Sequence, residues 1–172
     1  MVETSRLTII PLNHEQLALY VRAEGRLEEL LQLADSGRTF SPQVKEMVTN
    51  FTLPKMKTAT ADNYLFYTFW IIVEKATKII IAELGFKGEP NDKGEVEIGY
   101  GTMPGQRGKG FMTEAVGGIV DWAKTRPGIN YVLAETDEAN IASVRIVQKN
   151  NFSFFDKKEK MLWWKIAVKD SL

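Results

Sequence analysis

The chain has 172 residues, 44% hydrophobic and 26% charged, enough for one domain with a sizeable core and neither disordered nor membrane-spanning in composition. Twenty-two basic residues balance 22 acidic ones, and neither half is biased: residues 1–86 carry nine and ten, residues 87–172 carry 13 and 12. The basic surplus of a broad nucleic-acid footprint is therefore missing. The absence of cysteine excludes disulfides, thiolate metal sites and a cysteine nucleophile, and the single histidine, His14, leaves no histidine pair for a metal. No segment reaches the roughly 20 apolar residues of a membrane helix, and the N-terminus lacks the pattern of a signal peptide. A single cytoplasmic domain over residues 1–172, with no membrane partner, is the expectation.

In chain order, Leu7-Thr8-Ile9-Ile10 reads as a first strand ended by Pro11. Residues 13–34 have helical spacing broken near Gly25, which predicts two short helices. Ser41-Pro42 marks a helix start, with serine at the N-cap and proline at the first helical position; that helix is expected to end near Thr52, before Pro54. Residues 64–73 and 78–87, rich in aromatic and β-branched side chains, predict an antiparallel hairpin. After the turn at Asn91-Asp92-Lys93-Gly94, residues 95–103 alternate. Val96, Ile98 and Tyr100 share one face, and Glu97, Gly99 and Gly101 share the other.

A helix follows, opening at the glycine-rich segment 104–110 and reaching about Lys124. Residues 131–136 predict a strand, residues 140–150 a helix, and residues 152–155 and 161–168 two strands around a polar turn at 156–160. Trp163 and Trp164 alternate on the last strand, and both are expected to be structural, as are the aromatic residues of 64–70. His14 is placed at a helix start on the surface. The whole reads as a mixed α/β domain, in the α+β sense, with helices on a central sheet.

The chemistry concentrates in residues 97–115. A strand feeds a glycine-containing loop that opens a helix, so unpaired backbone N–H groups and the positive end of a helix dipole converge on one point. That is a site for phosphate or pyrophosphate. Gly108 and Gly110 remove side chains where an anion would approach, and Arg107 and Lys109 add charge. A tight strand-to-helix turn with surface basic residues is the plain alternative. A Walker loop is not spelled, because no Lys-Ser or Lys-Thr pair follows the second glycine. The dinucleotide fingerprint fails too, with Thr113 where its third glycine belongs.

The stretch Arg107-Gly108-Lys109-Gly110-Phe111-Met112 resembles the acyl-CoA loop of the Gcn5-related N-acetyltransferase superfamily, whose signature is Gln/Arg-x-x-Gly-x-Gly/Ala. It matches at Arg107 and Gly110 and departs at Met112. Residues 140–152 are similar to the Asn-x-x-Ser-x-Arg-x-x-x-Lys-x-Gly-Phe block of the ribosomal-protein N-terminal acetyltransferase-like branch, as is the opening around Leu7-Thr8-Ile9-Ile10. Asn151 stands where that block has glycine, at a left-handed position that asparagine tolerates.

The resemblance implies a mostly antiparallel central sheet of six or seven strands flanked by helices. It implies acetyl-CoA as cosubstrate, with no metal. By it, Arg107, Gly108, Lys109, Gly110, Phe111, Met112 and Thr113 hold the pyrophosphate, and Thr102 and Met103 pair with the pantetheine arm and help polarise the carbonyl. Asn140 also touches the cofactor, although capping is its plainer reading. Glu97 is implied as the base on the amine side, against the reading of a carboxylate paired with a lysine. A tyrosine that many relatives carry in the second helix is replaced by Val147, which leaves Ser143 or a water to protonate the thiolate. The partners implied are an amine acceptor, either a protein N-terminus or a small molecule, and a second copy in a homodimer. A non-catalytic acyl-CoA-binding domain is the rival reading.

Overall fold

The computed structural model describes residues 1–169; the last three positions of the expected domain lie outside the described residues. An eight-stranded sheet, one or two strands wider than expected, runs in the order β1-β2-β3-β4-β5-β6-β8-β7. Its strands are β1 (Val2–Glu3), β2 (Leu7–Pro11), β3 (Phe69–Glu74), β4 (Ile79–Phe86), β5 (Glu95–Thr102), β6 (Tyr131–Asp137), β7 (Ser153–Lys158) and β8 (Met161–Ala167). Every neighbouring pair is antiparallel except β5 and β6. Those two run parallel and pair over four residues only, Glu95 to Ile98 against Tyr131 to Ala134.

Helices cover both faces. On one side lie α1 (His14–Arg22), α2 (Arg26–Leu31), α3 (Pro42–Met47) and α4 (Leu53–Thr58). Their core includes Leu17, Tyr20, Leu27, Val48 and Met56 against Ile71, Val73 and Ile80. On the other side, α5 (Phe111–Lys124) and α6 (Ile141–Lys149) close a core around Trp70, Ile72, Leu84, Phe86, Ile98 and Trp122. Period-two alternation along β3 divides its side chains between the two. Asn13 opens α1 with a capping box to Gln16, so His14 is the first helical residue and is half-buried. Close packing of α5 on the N-terminal strands requires glycine at 118, where a Cβ would lie 2.8 Å from Thr4 Cγ2.

Three local readings change. The helix begun at Ser41-Pro42 does not stop at Thr52: it widens into a π-turn over Val48–Thr52 and continues as α4. Pro54 therefore sits inside a continuous helix, where it donates no N–H, and the wide turn lies directly before it. The aromatic run does not enter the sheet at Tyr64 either. Thr60 and Asn63 exchange side-chain-to-backbone bonds of 2.7 and 3.3 Å, which start a 3₁₀ turn over Tyr64–Phe66 and delay β3 to Phe69. The polar segment 156–160 is mostly strand, and only Glu159 and Lys160 form the turn. Of the two adjacent tryptophans, Trp164 is buried and donates to Thr136 Oγ1 at 2.9 Å, while Trp163 is half-buried on the opposite face.

One polar cluster lies inside the α1–α4 core. Arg38 and Glu28, both side chains 3% exposed, form a two-pronged ion pair at 2.6 and 3.1 Å. The third guanidinium nitrogen donates to the Tyr20 carbonyl at 2.7 Å, and the guanidinium stacks 4.1 Å above the Tyr20 ring. Removing one partner of such a pair strands the other charge in a low dielectric. Arg38→Met is therefore expected to cost about 3–5 kcal/mol of stability, read as a fall in the urea midpoint at unchanged m-value.

Candidate active site

Beyond Ile98 and Ala134, β5 and β6 part, because β6 pairs onward only with β8 while β5 stays with β4. The Met103 N–H donates to the Ile81 carbonyl at 2.9 Å, and the Lys87 N–H to the Glu97 carbonyl at 2.9 Å. By the alternation of an antiparallel ladder, the odd-numbered residues of β5 face β4, and Tyr100 and Thr102 turn their backbone groups into the gap. An extended, amide-bearing ligand can pair with that edge.

At the end of the gap stands the N-terminus of α5. Its N-cap residue is Gly110, in a left-handed conformation (φ 77°), and no side chain caps it. The N–H groups of Phe111, Met112 and Thr113 therefore have no intrahelical acceptor. Gly108 has the same φ, and a Cβ there would meet nothing within 4 Å, so the space above it is open. The N-terminus of α6 is different: Asn140 Oδ1 accepts the Ser143 N–H at 3.1 Å. The two helix starts enclose a cavity of about 560 Å³.

Of the residues expected to bind the cofactor, Thr102, Arg107, Gly108, Gly110, Phe111, Met112, Thr113 and Asn140 line this cavity, and so does Ser143. Met103 does not. Its backbone is committed to β4 and its side chain packs against the α1–α4 core. Lys109 also stands outside, reaching back to Gln106 Oε1 at 2.8 Å. The side chain of Met112, the departure from the family pattern, is 4% exposed and joins the core under α5, so it leaves the main-chain donors free.

A second cavity, of about 410 Å³, opens on the α1–α4 side and shares Tyr100 and Gly101 with the first. Glu97 lines neither. Its Oε1 is buried beside the Lys87 ammonium, with no other partner among the described residues. Burial works against the Lys87 ammonium, but Glu97 and Glu135 outweigh it and raise its pKa. The lysine-paired reading of Glu97 describes its contacts.

Sequence reasoning left out five residues. Tyr100 sets its hydroxyl 3.0 Å from Ser143 Oγ at the junction of the cavities, and burial raises its pKa. Arg145 and Lys149 line the first cavity from α6; their spacing of four residues, which puts both on one helix face, was the available signal. Glu83, the lone charge in the apolar strand β4, lines the second cavity. Arg6 braces the loop from below: it bonds Glu114 at 2.6 Å through Nε and the Lys109 carbonyl at 3.1 Å, and its guanidinium lies 4.6 Å from the Phe111 ring centre. Burial opposes the Glu114 carboxylate, yet bonds from Arg6 and Thr4 hold its pKa below the usual range.

The site thus joins a strand gap lined with backbone groups, an uncapped helix N-terminus with basic side chains, and an adjoining second cavity. The chain belongs to the GNAT acetyltransferase family: the acetyltransferase (GNAT) domain profile matches residues 6–153. It is 31% identical over 100 residues to the uncharacterized N-acetyltransferase YjdG of Bacillus subtilis (strain 168), an overlap of 58% of this chain and 60% of that one. A second relative, the uncharacterized N-acetyltransferase p20 of Bacillus licheniformis, is 33% identical over 91 residues, 53% of this chain and 49% of that one. The chain thus spans about half to three-fifths of the curated relatives it matches. Among solved structures, RimL, a ribosomal L7/L12 alpha-N-protein acetyltransferase in complex with coenzyme A, superposes with a TM-score of 0.64 at 13% identity, covering 95% of each chain. That likeness is one of fold.

Two substitutions test the loop. Gly110→Asp puts a carboxylate at the uncapped helix start and is expected to weaken CoA binding by at least about thirtyfold, roughly 2 kcal/mol. Arg6→Ala leaves Glu114 unneutralised under the same donors, with an expected loss of about three- to tenfold. Isothermal titration with CoA reads both.

Proposed function

We propose that the protein is an acetyl-CoA-dependent N-acetyltransferase that acylates a primary amine by direct transfer in a ternary complex. The observation that carries this reading is the meeting of the two cavities at Tyr100 and Gly101. A donor in the first and an amine in the second would touch there, and no covalent relay through the chain is needed.

The residues present suit an acyl-CoA. Arg107, Arg145, Lys149 and the N–H groups at the start of α5 would take its phosphates, and the free edge at Tyr100 and Thr102 its pantetheine amides. When bound, acetyl-CoA supplies the activated thioester. Backbone donors on that edge polarise a carbonyl laid against them. The Tyr100–Ser143 hydroxyl pair would give the leaving thiolate its proton, and Asn140 caps the helix that carries Ser143. Glu97 enters this scheme through Lys87, which lines the acceptor cavity.

The acceptor is a primary amine, of a protein N-terminus or a small molecule. A panel of both kinds, scored by release of free CoA thiol, tests the reading, and turnover of at least one amine above the rate of thioester hydrolysis is expected. CoA binding without turnover of any amine would identify a non-catalytic acyl-CoA-binding domain. Within the panel assay, Ser143→Ala is expected to lower kcat by about tenfold, because a thiol with a pKa of about 8.5 leaves readily as thiolate. Glu97→Gln is expected to keep kcat within about threefold, well short of the 10²–10⁴ that a positioned base contributes.

A further inference from the structure

Among the described residues, Glu83 is the one carboxylate that lines the second cavity, and the fold surrounds it with empty floor. Its cross-strand partner on β5 is Gly101, and the next pair on that face is Gly85 with Gly99. Three glycines thus strip the sheet of side chains beside a single acid. Phe69 and Tyr67 wall the same space, with Met47 and Thr52 from the far side. Such a cavity suits an apolar stem ending in a cation.

The carboxyl is held from behind. The Tyr20 hydroxyl, on α1, donates to Glu83 Oε2. Tyr20 itself is fully buried and locked on three sides: Phe40 edge-on at 4.8 Å, Phe69 at 6.2 Å and the Arg38 guanidinium at 4.1 Å. Arg38 is in turn fixed by Glu28. An acid on β4 is thereby aimed by four residues of α1, α2 and the segment before α3.

We propose that Glu83 receives the acceptor as a primary ammonium on an apolar stem and takes its proton, with Tyr20 as the positioning residue; this rests on the transferase reading above. The ammonium gives one proton to the Glu83 carboxylate and becomes a neutral amine. Its nitrogen forms the C–N bond to the thioester carbonyl carbon, and the C–S bond breaks with its electron pair going to sulfur. The second proton lost from nitrogen ends on the CoA thiol, and the first passes from Glu83 to solvent.

The pH dependence follows from the groups facing Glu83. Burial raises its pKa; the hydrogen bond from Tyr20 and the positive charge of Arg38 pull it back. Glu28 faces it only through Arg38, and Lys87, Tyr67 and Tyr100 line the same cavity without bonding it. A base works deprotonated, so kcat/KM rises with pH through the Glu83 pKa. Tyr20→Phe deletes a bond that favours the charged form, so the acid limb moves to higher pH, by about half to one unit.

With an amine that the panel shows to be acetylated, Glu83→Gln is expected to lower kcat/KM by about 10² or more. CoA affinity should stay within about twofold of wild type in both variants, since neither residue reaches the first cavity. A Glu83→Gln variant that melts like wild type and keeps kcat/KM within about twofold overturns the proposal. So does a Tyr20→Phe variant whose acid limb does not move, since a merely structural tyrosine would lower the plateau alone. The carboxyl ¹³C resonance of Glu83, assigned by its loss in Glu83→Gln, gives a readout without turnover. It is expected to titrate above the ordinary glutamate range, higher still in Tyr20→Phe, and to shift saturably with n-butylammonium but not with tetramethylammonium. Ordinary titration in both proteins overturns the site. Expected titration and butylammonium response with no amine acetylated would leave Glu83 as an ammonium-binding group and remove the transferase reading instead.

Discussion

The parting of β5 from β6 is the constraint on which the rest of the molecule hangs. Two parallel strands that pair for only four residues leave backbone donors and acceptors exposed in the middle of a sheet, a position where unpaired groups are costly. The fold tolerates the opening because each strand is anchored on its outer side, β5 by β4 and β6 by β8. The helices that follow each strand then start beside the same opening. Their starts are treated oppositely: Asn140 satisfies one, and glycine leaves the other bare. The gap, the bare helix start and the basic side chains of α6 form one continuous polar slot.

The sheet separates that slot from a second polar device of another kind. Behind β4, charge is buried rather than displayed, with Glu28 and Arg38 neutralising each other through a two-pronged bond and Tyr20 filling the space between them and Glu83. Replacing such a pair with packed apolar side chains is often no less stable, so its worth here lies in direction: a guanidinium fixed by a two-pronged bond presents a tyrosine at one height and angle. Arg6 plays a comparable part on the opposite face, tying the N-terminal hairpin to Glu114 and the Lys109 carbonyl.

How much was readable in the chain depended on how local each feature is. The loop 107–113 could be recognised because its function resides in consecutive residues whose glycines, charges and helix start sit side by side. Asn151 was equally legible, and it adopts φ 62° as its place after a helix end demands. Pro54 misled because a π-turn is invisible to periodicity. Met103 misled by one position, since which residues of a strand face a neighbour depends on register, and register is set by the pairing of β4 rather than by the strand itself. Glu83 and Tyr20 lie 63 positions apart, on a strand and a helix that nothing in the local pattern brings together. Glu97, by contrast, drew attention for its place on the strand, while Lys87, across the ladder, claims its carboxylate.

Tyr100 and the bare backbone of Gly101 line both cavities. A molecule that bridges the two there, with a phosphate-bearing arm in one and an ammonium-bearing stem in the other, would fasten to both sites at once. Its second half would bind as though already present at high local concentration, and its affinity would approach the product of the two separate ones. The linker length that binds best would then measure the distance between the two sites.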